Sequence, residues 1–123
     1  MSREIKWLDE PEEHDYLAAL SVLSLSYSLE HAGRLVEALR AAPVEEWKAK
    51  DIARMADEVI LDRHNSHVQH NFKKIREGKP LSPILLVRTE RGLLIADGYH
   101  RACSVYLLDE DQFVKAKIAG DGV

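Results

Sequence analysis

Leu94-Ile95-Ala96-Asp97-Gly98-Tyr99-His100-Arg101-Ala102 runs from an aliphatic segment, through one glycine, into residues of helical pattern. That order predicts a strand, a tight turn at Gly98 and a helix starting just beyond it. The start of a helix leaves backbone N–H groups without intrahelical partners, and here an acid, an imidazole and a guanidinium stand beside them. Negatively charged oxygens suit such a corner.

Working outward, Pro83 precedes Ile84-Leu85-Leu86-Val87-Arg88, and Glu90-Arg91-Gly92 leads back into Leu93-Leu94-Ile95-Ala96, the pattern of a β-hairpin. Beyond the turn, Ala102, Val105 and Tyr106 make a helical stripe that Leu108-Asp109-Glu110-Asp111 ends. Phe113, Lys115, Lys117 and Ala119 then alternate with Val114, Ala116 and Ile118, which predicts a closing strand with one apolar face. Before the hairpin, Asn65 or Ser66 caps a helix through Val68, Phe72 and Ile75 that carries Lys73 and Lys74 outward and stops at Gly78-Lys79-Pro80. Residues 44–49 read as a short strand around Trp47, and Asp51 opens a brief helix through Ile52, Met55 and Ala56. The first forty residues are of another kind. Tyr16, Leu20, Leu23 and Tyr27 share one helical face, Ser28 caps a second helix with His31, Leu35 and Leu39 on one stripe and Arg40 near its end, and Pro43 stops it. An antiparallel helical pair is expected, packed on the mixed part that follows.

A length of 123 residues, with 46% hydrophobic and 31% charged content, suits one domain with its own core, residues 1–123. The opening Met-Ser-Arg-Glu-Ile-Lys runs on into Asp9, Glu10, Glu12, Glu13 and Asp15 without an apolar stretch, and no later segment approaches a membrane span. A cytoplasmic protein is expected. The lone Cys103 matches a reducing compartment. A net charge of −4 disfavours nucleic acid as a partner, although Lys73, Lys74, Arg76 and Lys79 allow a local basic face.

The succession of a helix ending in Gly78-Lys79-Pro80, a Pro83-Ile84-x-x-Val87 strand, a strand into Asp97-Gly98-x-His100-Arg101-Ala102, a helix and a closing strand resembles the ParB/sulfiredoxin fold. The expected fold class is therefore α+β: a ParB/sulfiredoxin-like small mixed sheet with packed helices over residues 44–120, preceded by an N-terminal helical pair, residues 1–43. That addition is peculiar to a small bacterial group of ParB-like proteins, on this resemblance. In ParB proteins a Gly-Glu-Arg-Arg motif at this turn helps to hold the triphosphate of CTP; Gly98 and Arg101 match it, and Tyr99 and His100 replace the other two. In sulfiredoxins the motif is Gly-Cys-His-Arg, and Tyr99 stands where the reactive cysteine would be, so the resemblance does not extend to sulfinic reductase chemistry. Archaeal free-serine kinases of the same superfamily read Asp-Gly-His-Thr-Arg, matched here by Asp97, Gly98 and Arg101. Sulfiredoxins also reach ATP with a lysine near the start of the preceding helix, where this chain has His67.

The residue types at the turn lead to the same place on their own. Gly98 tolerates uncommon backbone angles, Asp97 can cap the helix or meet a metal ion, and Arg101 offers a planar fork for phosphate oxygens. His100 can donate to phosphate or move a proton near neutral pH. The plain alternative makes Asp97 only an N-cap, Arg101 a surface ion-pair partner and His100 a solvated residue. The other cluster is Asp62-Arg63-His64-Asn65-Ser66-His67-Val68-Gln69-His70. His67 and His70 can share a helix face and, with Asp62 or His64, bind zinc, but the spacing lacks the two-histidine-and-glutamate pattern of zinc hydrolases, so no metal site is assigned. Asn65 and His67 are expected instead to line the pocket at the glycine turn, because the corresponding helix start borders the nucleotide site in the family. Trp7 and Trp47 read as core or interface residues, Cys103 as a small buried apolar one, and Ser21, Ser24, Ser26 and Ser28 show no nucleophile pattern.

Two functions follow. The first is a nucleotide- or phosphate-binding module with Gly98, Tyr99, His100, Arg101, Asn65 and His67 around the ligand, a nucleoside triphosphate or diphosphate with Mg²⁺ or another phosphorylated small molecule, and with the N-terminal helices offered to a protein partner. The alternative is a small phosphotransferase or nucleotide hydrolase, with Asp97 positioning Mg²⁺ and His100 or His67 moving a proton. A DNA-partition-type regulator ranks third, for want of a helix-turn-helix segment after the motif.

Overall fold

In the computed structural model, which describes residues 4–120, the periodicities above become five helices and four strands. In chain order these are α1 (Glu13–Leu23), α2 (Leu29–Ala41), β1 (Glu45–Lys48), α3 (Ala49–Ala56), α4 (Ser66–Arg76), β2 (Ile84–Thr89), β3 (Gly92–Asp97), α5 (Tyr99–Leu108) and β4 (Phe113–Ala119). Met1, Ser2 and Arg3 of the charged opening lie outside the described residues. The class is α+β with a mixed open sheet in the order β1-β4-β2-β3. β2 and β3 form the expected antiparallel hairpin, whereas β4 pairs antiparallel with β1 and parallel with β2.

Four consecutive side chains of β2, Ile84 to Val87, are buried, and strand geometry sends alternate ones to opposite faces. Leu85 and Val87, with Ala96 and Ala119, meet Tyr16, Ala19, Leu23, Leu35, Val36 and Leu39 of α1 and α2. Ile84 and Leu86, with Ile95, Val114 and Ala116, meet Ile52 of α3, Ile75 of α4 and Val105 of α5. The sheet is thus covered on both sides, which explains why β2 reads as an unbroken aliphatic run. The helical pair spends its apolar stripe here, against the sheet. Among the described residues no helix is long and apolar enough to cross a membrane.

Several expectations need correction. α1 ends at Leu23, and a turn over residues 24–27 brings Tyr27 back onto the core. α3 begins at Ala49, so Asp51 lies inside its first turn. Lys73 points outward, but Lys74 is half-buried, because α4 turns Asn71 inward, where Nδ2 donates to Ser104 Oγ at 3.3 Å. β4 has two buried faces: Lys117 is 1% exposed on the side of the helical pair. Its ammonium donates to Arg40 O at 3.0 Å and reaches Glu10 Oε1 at 2.8 Å. Burial draws the Lys117 pKa down, and the contacts with Glu10 and Tyr16 outweigh it, leaving the group above its ordinary value. Trp7 is half-buried against the core, while Trp47 is exposed at the edge of the sheet.

Candidate functional site

β3 carries one extra residue against β2, since Leu86 faces Ile95 and Leu85 faces Asp97. Such a bulge re-aims the side chain that follows it. Gly98 comes next, at φ 102°, and a Cβ built there would lie 2.4 Å from Ile84 Cγ2. Backbone angle and space both demand glycine. Gly98, not Asp97, is the N-cap of α5, and no side chain caps the helix. The first-turn amides therefore open outward from an uncapped start.

The expected roles of Asp97 and Arg101 change accordingly. Arg101 Nη2 donates to Asp97 Oδ2 at 2.6 Å and Nη1 to Ser82 O at 2.9 Å, while Asp15 Oδ1 of α1 is 3.6 Å from Nη2. The guanidinium is a clamp among three oxygens, with little of its fork left for a phosphate. Burial pushes the Asp97 carboxyl up to about 6, against the pull of Arg101 and with the help of Asp15. Asp97 thus titrates near neutrality.

Around this clamp lies a polar cavity of about 270 Å³. Four imidazoles line it: His14 from α1, His67 and His70 from α4, and His100 from α5. The rings of His67 and His100 are 4.4 Å apart. Burial, with the His67 ring beside it, lowers the His100 pKa and so favours its neutral form. Lys74 supplies a cation, and Glu12, Asp15 and Asp97 supply carboxyls. Tyr99 lines the same cavity while its hydroxyl donates to Val59 O.

The structure therefore brings together Asp97, Gly98, Tyr99, His100, Arg101 and His67, as the sequence predicts. Asn65 is not on the wall: its Oδ1 caps α4, accepting from the amides of His67 at 2.9 Å and Val68 at 3.2 Å. Asp62 and His64 do not join His67 and His70 there, Asp62 Oδ1 instead accepting from the His64 amide. Cys103 is buried, and burial raises its thiol pKa. It is no nucleophile in this state. Sequence reasoning missed Glu12, His14 and Asp15, which reach the site through the packing of α1. A reciprocal capping box between Glu12 and Asp15 was the one local signal.

A second groove, of about 570 Å³, lies at the far end of the hairpin between Trp47, Ile52, Met55, Leu93 and Ile118. Its walls are mainly apolar, with Asp51, Arg54 and Arg88 among them, whereas the cavity at the glycine turn is mainly polar and gathers the imidazoles. Comparisons with protein-family models, curated proteins and solved structures find no match to this chain.

Proposed function

We propose that this is a ParB/sulfiredoxin-like module that binds a nucleotide or another phosphorylated small molecule in the cavity at Gly98. One observation carries the reading: the uncapped first turn of α5 opens onto a polar cavity that also holds Lys74, His67, His70 and His100. Amides, an ammonium and imidazole N–H groups are the donors that phosphate oxygens take. Glu12, Asp15 and Asp97 share the cavity, so the ligand enters with a divalent cation that offsets their charge, as a Mg²⁺–nucleotide would. The phosphate contacts shift from Arg101, which is committed to Asp97 and Ser82, to Lys74 and the α5 amides.

A second reading has its own support. Asp97 titrates at about 6 and lies in the same cavity as the paired imidazoles of His67 and His100, so the cavity holds a group able to exchange a proton near neutral pH. A small phosphotransferase or nucleotide hydrolase would need such a group.

Thermal unfolding with orthophosphate, ADP, ATP and CTP, each with and without Mg²⁺, tests the binding. A ligand at ~100 times its dissociation constant stabilises by about 2.7 kcal/mol. The shift is expected in wild type and is lost in Lys74→Ala. Absence of a shift with every phosphate overturns the proposal. Product release over hours separates the enzyme reading from the binding one.

A further inference from the structure

We infer that the groove between the end of α5 and the outer face of α4 is a docking site for an acidic segment of a partner protein, which seats an apolar side chain beside Arg63 and Arg76. The basic residues in and after α4 divide in the fold. Lys74 turns into the polar cavity, and Lys79 meets Glu77 Oε2 at 3.3 Å. Arg76 instead joins Arg63 at a hollow of about 440 Å³ walled by Phe72, Ile75, Leu107 and Leu108.

Charge identifies the occupant. The wall holds two guanidiniums and no carboxylate, in a chain whose net charge is −4. Both arginines are exposed, and neither side chain has a hydrogen-bond or ion-pair partner among the described residues. The acids near them are engaged elsewhere. Asp62 Oδ1 accepts from the His64 amide at 2.7 Å, Glu77 holds Lys79, and Asp109 Oδ1 accepts from the Asp111 amide at 3.0 Å. Two planar forks without a counter-charge suit carboxylates, which such forks grip through parallel bonds. Beside them Leu108 is 45% exposed, and Phe72 and Leu107 are half-buried, so a bulky apolar side chain entering the hollow would cover all three. An apolar anchor ringed by arginines is the arrangement that carries binding energy at protein interfaces. Nucleic acid fits less well. The negative chain repels a polyanion, and Gln69 Nε2, the donor that could read a base edge, is spent on Arg63 O.

Helical geometry sends His67, His70 and Lys74 to one side of α4 and Phe72 and Arg76 to the other, so the groove stands apart from the cavity and its test needs no phosphate. The full-length ¹⁵N-labelled protein is titrated to millimolar with the peptide N-acetyl-Glu-Asp-Leu-Phe-Asp-Glu-amide and followed by amide NMR. Saturable shifts are expected at Arg63, Phe72, Arg76, Leu107 and Leu108. The double variant Arg63→Glu, Arg76→Glu raises the dissociation constant at least tenfold, as does a peptide with serines for its Leu-Phe pair. Both arginines are exposed, so the variant keeps the fold, which its unfolding midpoint checks. Absence of shifts at millimolar peptide overturns the inference. So does equal binding of a peptide with lysines for its acids, or unchanged binding by the double variant. Tighter binding of oligothymidylate at the same amides assigns the groove to nucleic acid, and shifts that follow protein concentration alone assign it to a second copy of this chain. Either result refutes the acidic partner and leaves the phosphate proposal standing.

Discussion

Asp15 Oδ1 on the first helix stands 3.6 Å from Arg101 Nη2 on the last, with both side chains nearly out of solvent, at 5% and 15% exposure. Through this contact the helical pair is fastened to the glycine turn. Replacing Arg101 by Met leaves Asp15 and Asp97 without their counter-charge, and breaking a buried pair in this way costs about 3–5 kcal/mol. Urea unfolding at pH 7 is expected to show that loss. A change under about 1 kcal/mol would mean that the carboxyls find another partner.

Gly98→Ala sets a methyl 2.4 Å from Ile84 Cγ2 at a φ of 102°. Overpacking and backbone strain act together, and a loss of about 2–4 kcal/mol is expected. Thermal unfolding of Gly98→Ala against Gly33→Ala is the comparison, because a Cβ at Gly33 meets nothing within 4 Å.

Stability should depend on pH through Asp97, which titrates at about 6 when folded, against an ordinary value of 3.8 for the unfolded chain. The folded chain holds this proton more tightly, so the contribution is full below 3.8 and is lost as pH rises through about 6. His100 works in the opposite direction: its folded pKa lies below 6.5, and its contribution is lost as pH falls under that value. Urea midpoints from pH 4 to 8 should separate the two, with Asp97→Asn removing the first slope and His100→Gln the second. Carbon-detected NMR of the Asp97 carboxyl gives its titration directly.

Lys117 gives a contrast between charge and volume. Its partner Glu10 is 63% exposed and stays hydrated when Lys117 is removed, so the chief polar loss is the bond to Arg40 O. Lys117→Met is expected within about 1 kcal/mol of wild type, as for buried ion pairs replaced by apolar groups of like size. Lys117→Ala leaves a cavity under Tyr16 and costs about 2–4 kcal/mol. Equal losses in both variants would assign the role to the charge.

The local parts of the fold were legible in the sequence. Ser28 caps α2 and Asn65 caps α4, the hairpin turns at Glu90 and Arg91, and β4 starts at Phe113. These depend on residues close together in the chain. Alternation alone made Lys117 a solvent-facing residue, since nothing near it in sequence tells that α2 covers that face. At the site, Gly98 and His100 were legible because strand, turn and helix succeed one another directly, whereas His67, on α4, was expected there only through the resemblance. Asp15 was not, being 86 positions from Arg101 and brought there only by the docking of α1. The same docking explains why Arg101 serves as a clamp and not as an open fork.

The order β1-β4-β2-β3 has a bearing on synthesis. Until residues 113–119 leave the ribosome, β1 has no ladder partner, and the hairpin has one unpaired flank where β4 will insert. Closure of the sheet thus waits for β4, so a nascent chain paused at Asp109 leaves β1 unpaired and exposes the β2 edge of the hairpin.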